Sequence, residues 1–123
     1  MKQTLKSIAL LGAVLTLTAC ATRPALYSWG PYEKQVYAHF QNESPEEQIL
    51  ILEKHVQETQ ANGKQLPPGF RAHLGLLYSK VGREGDFVTA LEQEKAAFPE
   101  SSVYVANLLA STKSKREVRS EQK

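Results

Sequence analysis

The chain has one cysteine, Cys20, and it closes an apolar run that begins at Ile8. A lone thiol forms no internal disulfide, so whatever folds here must close its own core. The run reads IALLGAVLTL over residues 8–17, follows Lys2 and Lys6, and precedes Thr18 and Ala19. A positive start, a short apolar stretch and small residues before a cut give the shape of a secretory leader. The run is too short to span a bilayer, which takes about 20 apolar residues. Residues 1–19 therefore read as a leader. The fold must come from the roughly 90 residues that follow, near the size at which a single core holds by itself.

Leu17-Thr18-Ala19-Cys20 is similar to the lipobox of bacterial lipoproteins. That resemblance implies a signal peptide over residues 1–19 and palmitate-type acylation of Cys20, which then heads the mature chain. The diacylglyceryl group on Cys20, usually with a third chain, holds where a single acyl chain anchors only marginally. Residues 20–26 become a lipidated tether, and its six residues after Cys20 reach at most about 20 Å. Ala21, in place of Asp, follows the cysteine. By resemblance to enterobacterial sorting, this implies the periplasmic face of the outer membrane.

Charge separates the two ends of the chain. It has 15 basic and 13 acidic residues, and the leader holds Lys2 and Lys6 with no acid, so the remainder is formally neutral. Residues 111–123 carry Lys113, Lys115, Arg116, Arg119 and Lys123 against Glu117 and Glu121, a net of +3, which leaves residues 20–110 at −3. A nucleic-acid partner has no global charge to act on. The polar end from Ser111 has little apolar content and is expected to be a disordered basic tail.

Between tether and tail the pattern is helical throughout. Tyr32, Val36, Tyr37 and Phe40 recur at three- and four-residue steps, one apolar helical face, with Trp29 folding over the same core. Ser44-Pro45-Glu46-Glu47 starts a second helix, with Ser44 as cap, Pro45 in the first turn and Glu47 reaching back. Ile49, Leu50, Leu52, Glu53 and Val56 follow, and Asn62-Gly63 is a stop. Gln65-Leu66-Pro67-Pro68-Gly69 is a stiff connector. A third helix over residues 70–81 puts Leu74, Leu77, Tyr78 and Val81 on one face, and Gly82 ends it. Asp86 caps a fourth, with Phe87, Ala90, Leu91, Glu94, Ala97 and Phe98, ended by Pro99. A short fifth carries Val103, Val105, Leu108 and Leu109. No stretch alternates long enough for a strand. The expected fold over residues 27–110 is all-α, two helical hairpins plus a C-terminal capping helix.

Two motifs resemble the tetratricopeptide repeat. Leu74-Gly75-x-x-Tyr78 matches its first helix, and Gly85-Asp86-Phe87-Val88-Thr89-Ala90 its turn and second helix. Gly75 in mid-helix costs about 1 kcal/mol relative to Ala, so a packing reason is expected for it. The Gly-Asp-Phe run begins three residues after Gly82, where the repeat's turn glycine belongs, so this is one degenerate unit with a repeat-like partner. A more specific likeness covers most of residues 20–110. Leu26-Tyr27-Ser28-Trp29-Gly30-x-Tyr32, Pro67-Pro68-Gly69, Ala72-His73-Leu74-Gly75-x-x-Tyr78 and Glu94-Lys95-x-x-Phe98-Pro99-Glu100-Ser101 resemble the lipoproteins of the domain of unknown function 4810 family. The resemblance implies an accessory partner of a CsgG-type lipoprotein in an envelope assembly or secretion complex. It brings no catalytic residues.

The chemistry-bearing side chains are sparse. His39, His55 and His73 fall on three helices with no HxxxH or HxxE spacing, and Asp86 is the only aspartate. No metal, cofactor other than the lipid, or small-molecule substrate is expected, and the chain does not read as an enzyme. Tyr and Trp are enriched at interaction hot spots, so Trp29, Tyr32, Tyr37 and Tyr78 are the candidate partner-binding residues, with His73 beside Gly75. Two other readings compete: a small envelope enzyme such as a wall hydrolase built around His73, and a structural lipoprotein that binds peptidoglycan through the basic tail.

Overall fold

A computed structural model describes residues 25–121 together with residues 1, 3 and 4. The leader's apolar run and Cys20 lie outside the described residues. Five α-helices and no strand make up the described part. They are α1 (Tyr32–Phe40), α2 (Pro45–Ala61), α3 (Phe70–Lys80), α4 (Glu84–Ala97) and, after a 3-10 turn at Pro99–Ser101, α5 (Ser102–Glu121). The fold is all-α, as the periodicity implies. Among the described residues no helix is long and apolar enough to cross a membrane.

The helix boundaries follow local chemistry. Ser44 Oγ accepts the Glu47 backbone N–H at 3.3 Å and donates to Glu46 Oε2 at 2.9 Å, so the cap forms, with Glu46 as the hydroxyl's acceptor. Gly63 and Gly82, with φ of +61° and +77°, follow α2 and α3 as left-handed stops. Asp86 does not cap α4. The helix begins at Glu84, one residue before the Gly-Asp pair, and Asp86 Oδ2 instead accepts from Arg83 Nε at 2.6 Å. A carboxylate in the first turn still meets the positive end of the helix dipole.

α3 is the central element, buried along most of its length through Phe70, Ala72, Leu74, Gly75, Leu77 and Tyr78. It packs against α4, whose Phe87, Ala90 and Leu91 complete the core with Ile49 and Leu52 of α2 and Val105 of α5. A methyl group at Gly75 would meet the Ala90 Cβ and the Phe87 carbonyl oxygen at 3.4 Å. This close approach supplies the packing reason for glycine in mid-helix, since any branched side chain there would force the two helices apart.

α1 turns a different face inward from the one its aromatics mark. Gln35 and Ala38 are buried, while Tyr37 is 65% and Phe40 76% exposed. The two pairs are offset by two residues, about 200° around a helix of 3.6 residues per turn, which places them on opposite sides. Trp29 does not fold over the core either: it is 45% exposed and stacks outside Tyr32 at 6.2 Å between ring centroids. Tyr32 makes the inward contact, against Phe70 at 5.0 Å.

α5 is not short. It runs to Glu121, through the stretch expected to be disordered from Ser111. Leu108 and Leu109 pack on the core, and the Ser111 and Thr112 hydroxyls bond back to Leu108 O at 2.8 and 3.0 Å. Lys, Arg and Glu are good helix formers, and they extend the helix past the last core contact.

The entry segment is tied down by backbone and imidazole. Ser28 N donates to Gln65 O at 2.8 Å, and His55 Nε2 donates to Ser28 O at 2.9 Å. Gly30 lies against the His55 ring so closely that a Cβ there would overlap it, and its φ is +45°.

Candidate functional site

Glu94 sets the position of α3. Its side chain is 1% exposed, yet it is a carboxylate on the neighbouring helix. Oε1 accepts the Gly69 N–H at 2.6 Å and Oε2 the Arg71 N–H at 3.1 Å. Two orphan donors at the start of α3 are thereby satisfied from across the hairpin. The negative charge also faces the positive end of the α3 dipole. The carboxylate holds the helix that forms one wall of the site.

The described surface has an open groove of about 420 Å³ between α2, α3 and α4. Glu53, Val56 and Gln57 line it from α2, Arg71, Leu74 and Tyr78 from α3. Asp86, Thr89, Ala90 and Gln93 of α4 form the third wall, with Arg83 at the turn. One end is rigid. The Tyr78 hydroxyl donates to Glu53 Oε1 at 2.8 Å, and Arg83 Nη1 donates to the same oxygen at 3.1 Å. The Arg83 guanidinium also lies 4.4 Å over the Tyr78 ring and is held by Asp86. Burial, and then the hydrogen bond to Glu53, push the Tyr78 hydroxyl well above its ordinary pKa. It is a proton donor fixed in place, not a base. At the other end Arg71 has no carboxylate partner among the described residues, although its backbone N–H is fixed by Glu94. The groove therefore pairs a locked charge network with one available cation.

A second cluster lies where α1 meets α3. His39 and His73 meet edge to face at 5.1 Å between ring centroids, and Tyr32 touches His73 at 5.9 Å. His39 Nδ1 and His73 Nε2 are buried without a hydrogen-bond partner. Burial lowers the pKa of His73 to about 4, with the neighbouring His39 and Lys80 adding to it. Burial and Lys80 lower that of His39. Both rings are neutral at pH 7, which suits packing. Among the described residues no carboxylate or hydroxyl is bonded to either ring to orient it as a catalytic base. Among the described residues no three His, Cys, Asp or Glu side chains converge as a metal site.

The structure separates the residues singled out by sequence. Trp29, Tyr32 and His73 come together at the α1–α3 seam. Tyr37 points away from them on the outer side of α1, and Tyr78 lies in the groove beneath Arg83, 8% exposed. Cys20 is outside the described residues. Arg71, Glu53 and Arg83 have no mark in the sequence that singles them out: each is a charge on a polar stretch until the helices pack. Glu94 has one, since its place among Phe87, Ala90, Leu91 and Phe98 puts it on an apolar face.

Residues 26–108 match the family described as domain of unknown function DUF4810. The chain belongs to that family. No curated protein and no solved structure matches the chain. The match spans the entry segment, the connector that carries Pro67 and Gly69, helices α1 to α4 and the start of α5, and so includes every residue that lines the groove.

Proposed function

We propose that this DUF4810 protein is a protein-binding accessory subunit of an envelope assembly or secretion complex. In this reading the chain is acylated at Cys20, faces the periplasm from the outer membrane, and holds an extended segment of its partner in the α2–α3–α4 groove. The observation that carries the reading is the groove itself. It is open, walled by Leu74, Val56 and Ala90, with polar side chains around them and Arg71, which has no carboxylate partner among the described residues, to meet a carboxylate. Such a combination suits a peptide segment with an acidic group. The tyrosine within it is held by Glu53 and Arg83. The tetratricopeptide-like arrangement belongs to the same reading. The Gly75–Ala90 approach is the small-residue contact that lets two helices of such a unit lie close. A CsgG-type lipoprotein is the candidate partner, as the family resemblance implies.

The test is a crosslinked pull-down from cells carrying the tagged full-length protein, beside Cys20→Ala and Arg71→Glu. Recovery of a CsgG-type lipoprotein, lost in Cys20→Ala and cut about tenfold in Arg71→Glu, is the expected result. Equal recovery from Arg71→Glu would remove the groove from the account, and recovery of nothing above background would remove the partner.

A further inference from the structure

The charge of the folded part is distributed unevenly along the helices. Residues 31–62 hold Glu33, Glu43, Glu46, Glu47, Glu53 and Glu58 against Lys34 and Lys54, a net of −4. Residues 63–101 are balanced, and residues 102–123 carry a net of +3, all of it beyond Leu109. The acidic hairpin is also where large apolar side chains are exposed. Tyr37 and Phe40 of α1 and Leu50 and Ile51 of α2 all face outward. No described ion pair joins α5 to this hairpin.

Between α1 and α2 lies a crevice of about 250 Å³, lined by Lys34, Tyr37, Glu43, Glu47, Gln48 and Ile51 among others. Gln48 is 2% exposed. Its Nε2 donates to Glu43 O at 3.0 Å, so its Oε1 is the end left over, buried and without a donor. An unsatisfied buried acceptor costs about 1–3 kcal/mol. The crevice thus offers a lone acceptor, two carboxylates at its rim and an aromatic wall. Lys and Arg side chains carry donors only, and their stems lie readily on apolar surface.

We propose that copies of this chain associate through these two regions, the basic half of α5 from one copy lying on the α1–α2 face of another. A Lys or Arg of the second copy enters the crevice, donates to Gln48 Oε1 and sits between Glu43 and Glu47. Its stem covers Tyr37 and Ile51. The second copy is the chosen occupant because the chain itself carries the complementary charge, on a helix that runs past its last core contact. The contact is heterologous: each copy offers a different surface at each end, so association continues or closes into a ring. It involves neither Arg71 nor the groove and stands whether or not the envelope partner is the one proposed above.

The experiment is sedimentation velocity on the full-length protein, extracted from membranes in a nonionic detergent, over a range of concentrations. Wild type should associate at about 50 mM salt and dissociate at about 500 mM, where screening is short-ranged. The Glu43→Lys, Glu47→Lys double variant should associate about tenfold more weakly. So should a variant with Lys113, Lys115, Arg116 and Arg119 all changed to Glu. Circular dichroism of each must match wild type. Mixing the two reversed variants should restore association, because the charges are then complementary again between copies and in neither copy alone. A wild type that stays monomeric at every concentration, association that survives either reversal, or a mixture that fails to associate would each overturn the proposal. Monomeric protein whose Cys20→Ala form sediments with vesicles containing anionic lipid, and not with neutral ones, would assign the basic helix to the membrane and overturn it as well.

Discussion

Between α3 and α4 the buried carboxylate is fully used: Glu94 engages both oxygens, and Gly75 brings the two helices into contact. Tyr78 takes its partner, Glu53, from α2, and His73 Nε2, on the side turned to α1, is the polar atom left over among the described residues of this pair. Between α1 and α2 a buried amide is not fully used. Gln35 and Gln48 are buried beside a crevice, Gln48 Oε1 has no donor, and the aromatic residues Tyr37 and Phe40 face out. The two hairpins have comparable helical content and opposite packing economies. A hairpin that closes on its own carboxylate makes a scaffold, and one that leaves acceptors and apolar side chains unsatisfied has surface to offer. The contrast assigns the unsatisfied surface to α1–α2 and makes α3–α4 the scaffold, one side of which forms two walls of the groove.

The sharpest way to break this contrast is at Glu94. Glu94→Ala orphans the Gly69 and Arg71 N–H groups and leaves a hole beside α3, so a loss of about 4 kcal/mol is expected by urea denaturation. A loss under about 1 kcal/mol would mean that α3 does not depend on α4 for its start. Gly30→Ala comes next, at about 3 kcal/mol, because the new Cβ both overlaps His55 and sits at a left-handed φ. Gly63→Ala has a similar φ with nothing within 4 Å, and should cost only about 1 kcal/mol. If the two glycines cost the same, the His55 contact contributes nothing.

A pH titration probes the seam between the hairpins. The His73 pKa is held near 4 in the fold against 6.5 for the free side chain. As the pH falls from about 6.5 to about 4, the unfolded chain takes up a proton that the fold does not, so stability falls through that window. It is fully present above the window. Allowing for partial exposure, the loss should be about 2 kcal/mol, and His73→Phe should flatten that part of the profile. Tyr78→Phe should cost as little as Gly63→Ala, about 1 kcal/mol, because Arg83 continues to satisfy Glu53. Scanning calorimetry of the pair would show it.

The hairpin signals at Ser44, Gly63 and Gly82 are readable along the chain because each depends on neighbours within a turn. The helical class follows from them. Gly75 is readable too, as an unfavourable residue that needs a reason. The inward face of α1 is not readable, because Tyr37 and Phe40 satisfy the periodicity test better than Gln35 and Ala38, and only the phase set by α2 and α3 decides between them. Asp86 fails for a related cause. It has the chemistry of a cap, but Arg83 offers a stronger partner one turn away. The groove is assembled from three helices, and the residues at its ends, Glu53, Arg71 and Arg83, lie far apart in sequence. The length of α5 escapes because the low apolar content that signals disorder also describes a solvated helix.

The most direct test of the central claim is site-specific photo-crosslinking in intact cells, with the crosslinking residue at Gln93 in the groove wall or at its neighbour Glu92. Both side chains are exposed, and one helical step of about 100° separates them. Only Gln93 lines the groove. A discrete adduct with another envelope polypeptide from Gln93, and none from Glu92, is the predicted result. Identical adducts from both positions, or none from Gln93, would contradict a partner held in the α2–α3–α4 groove.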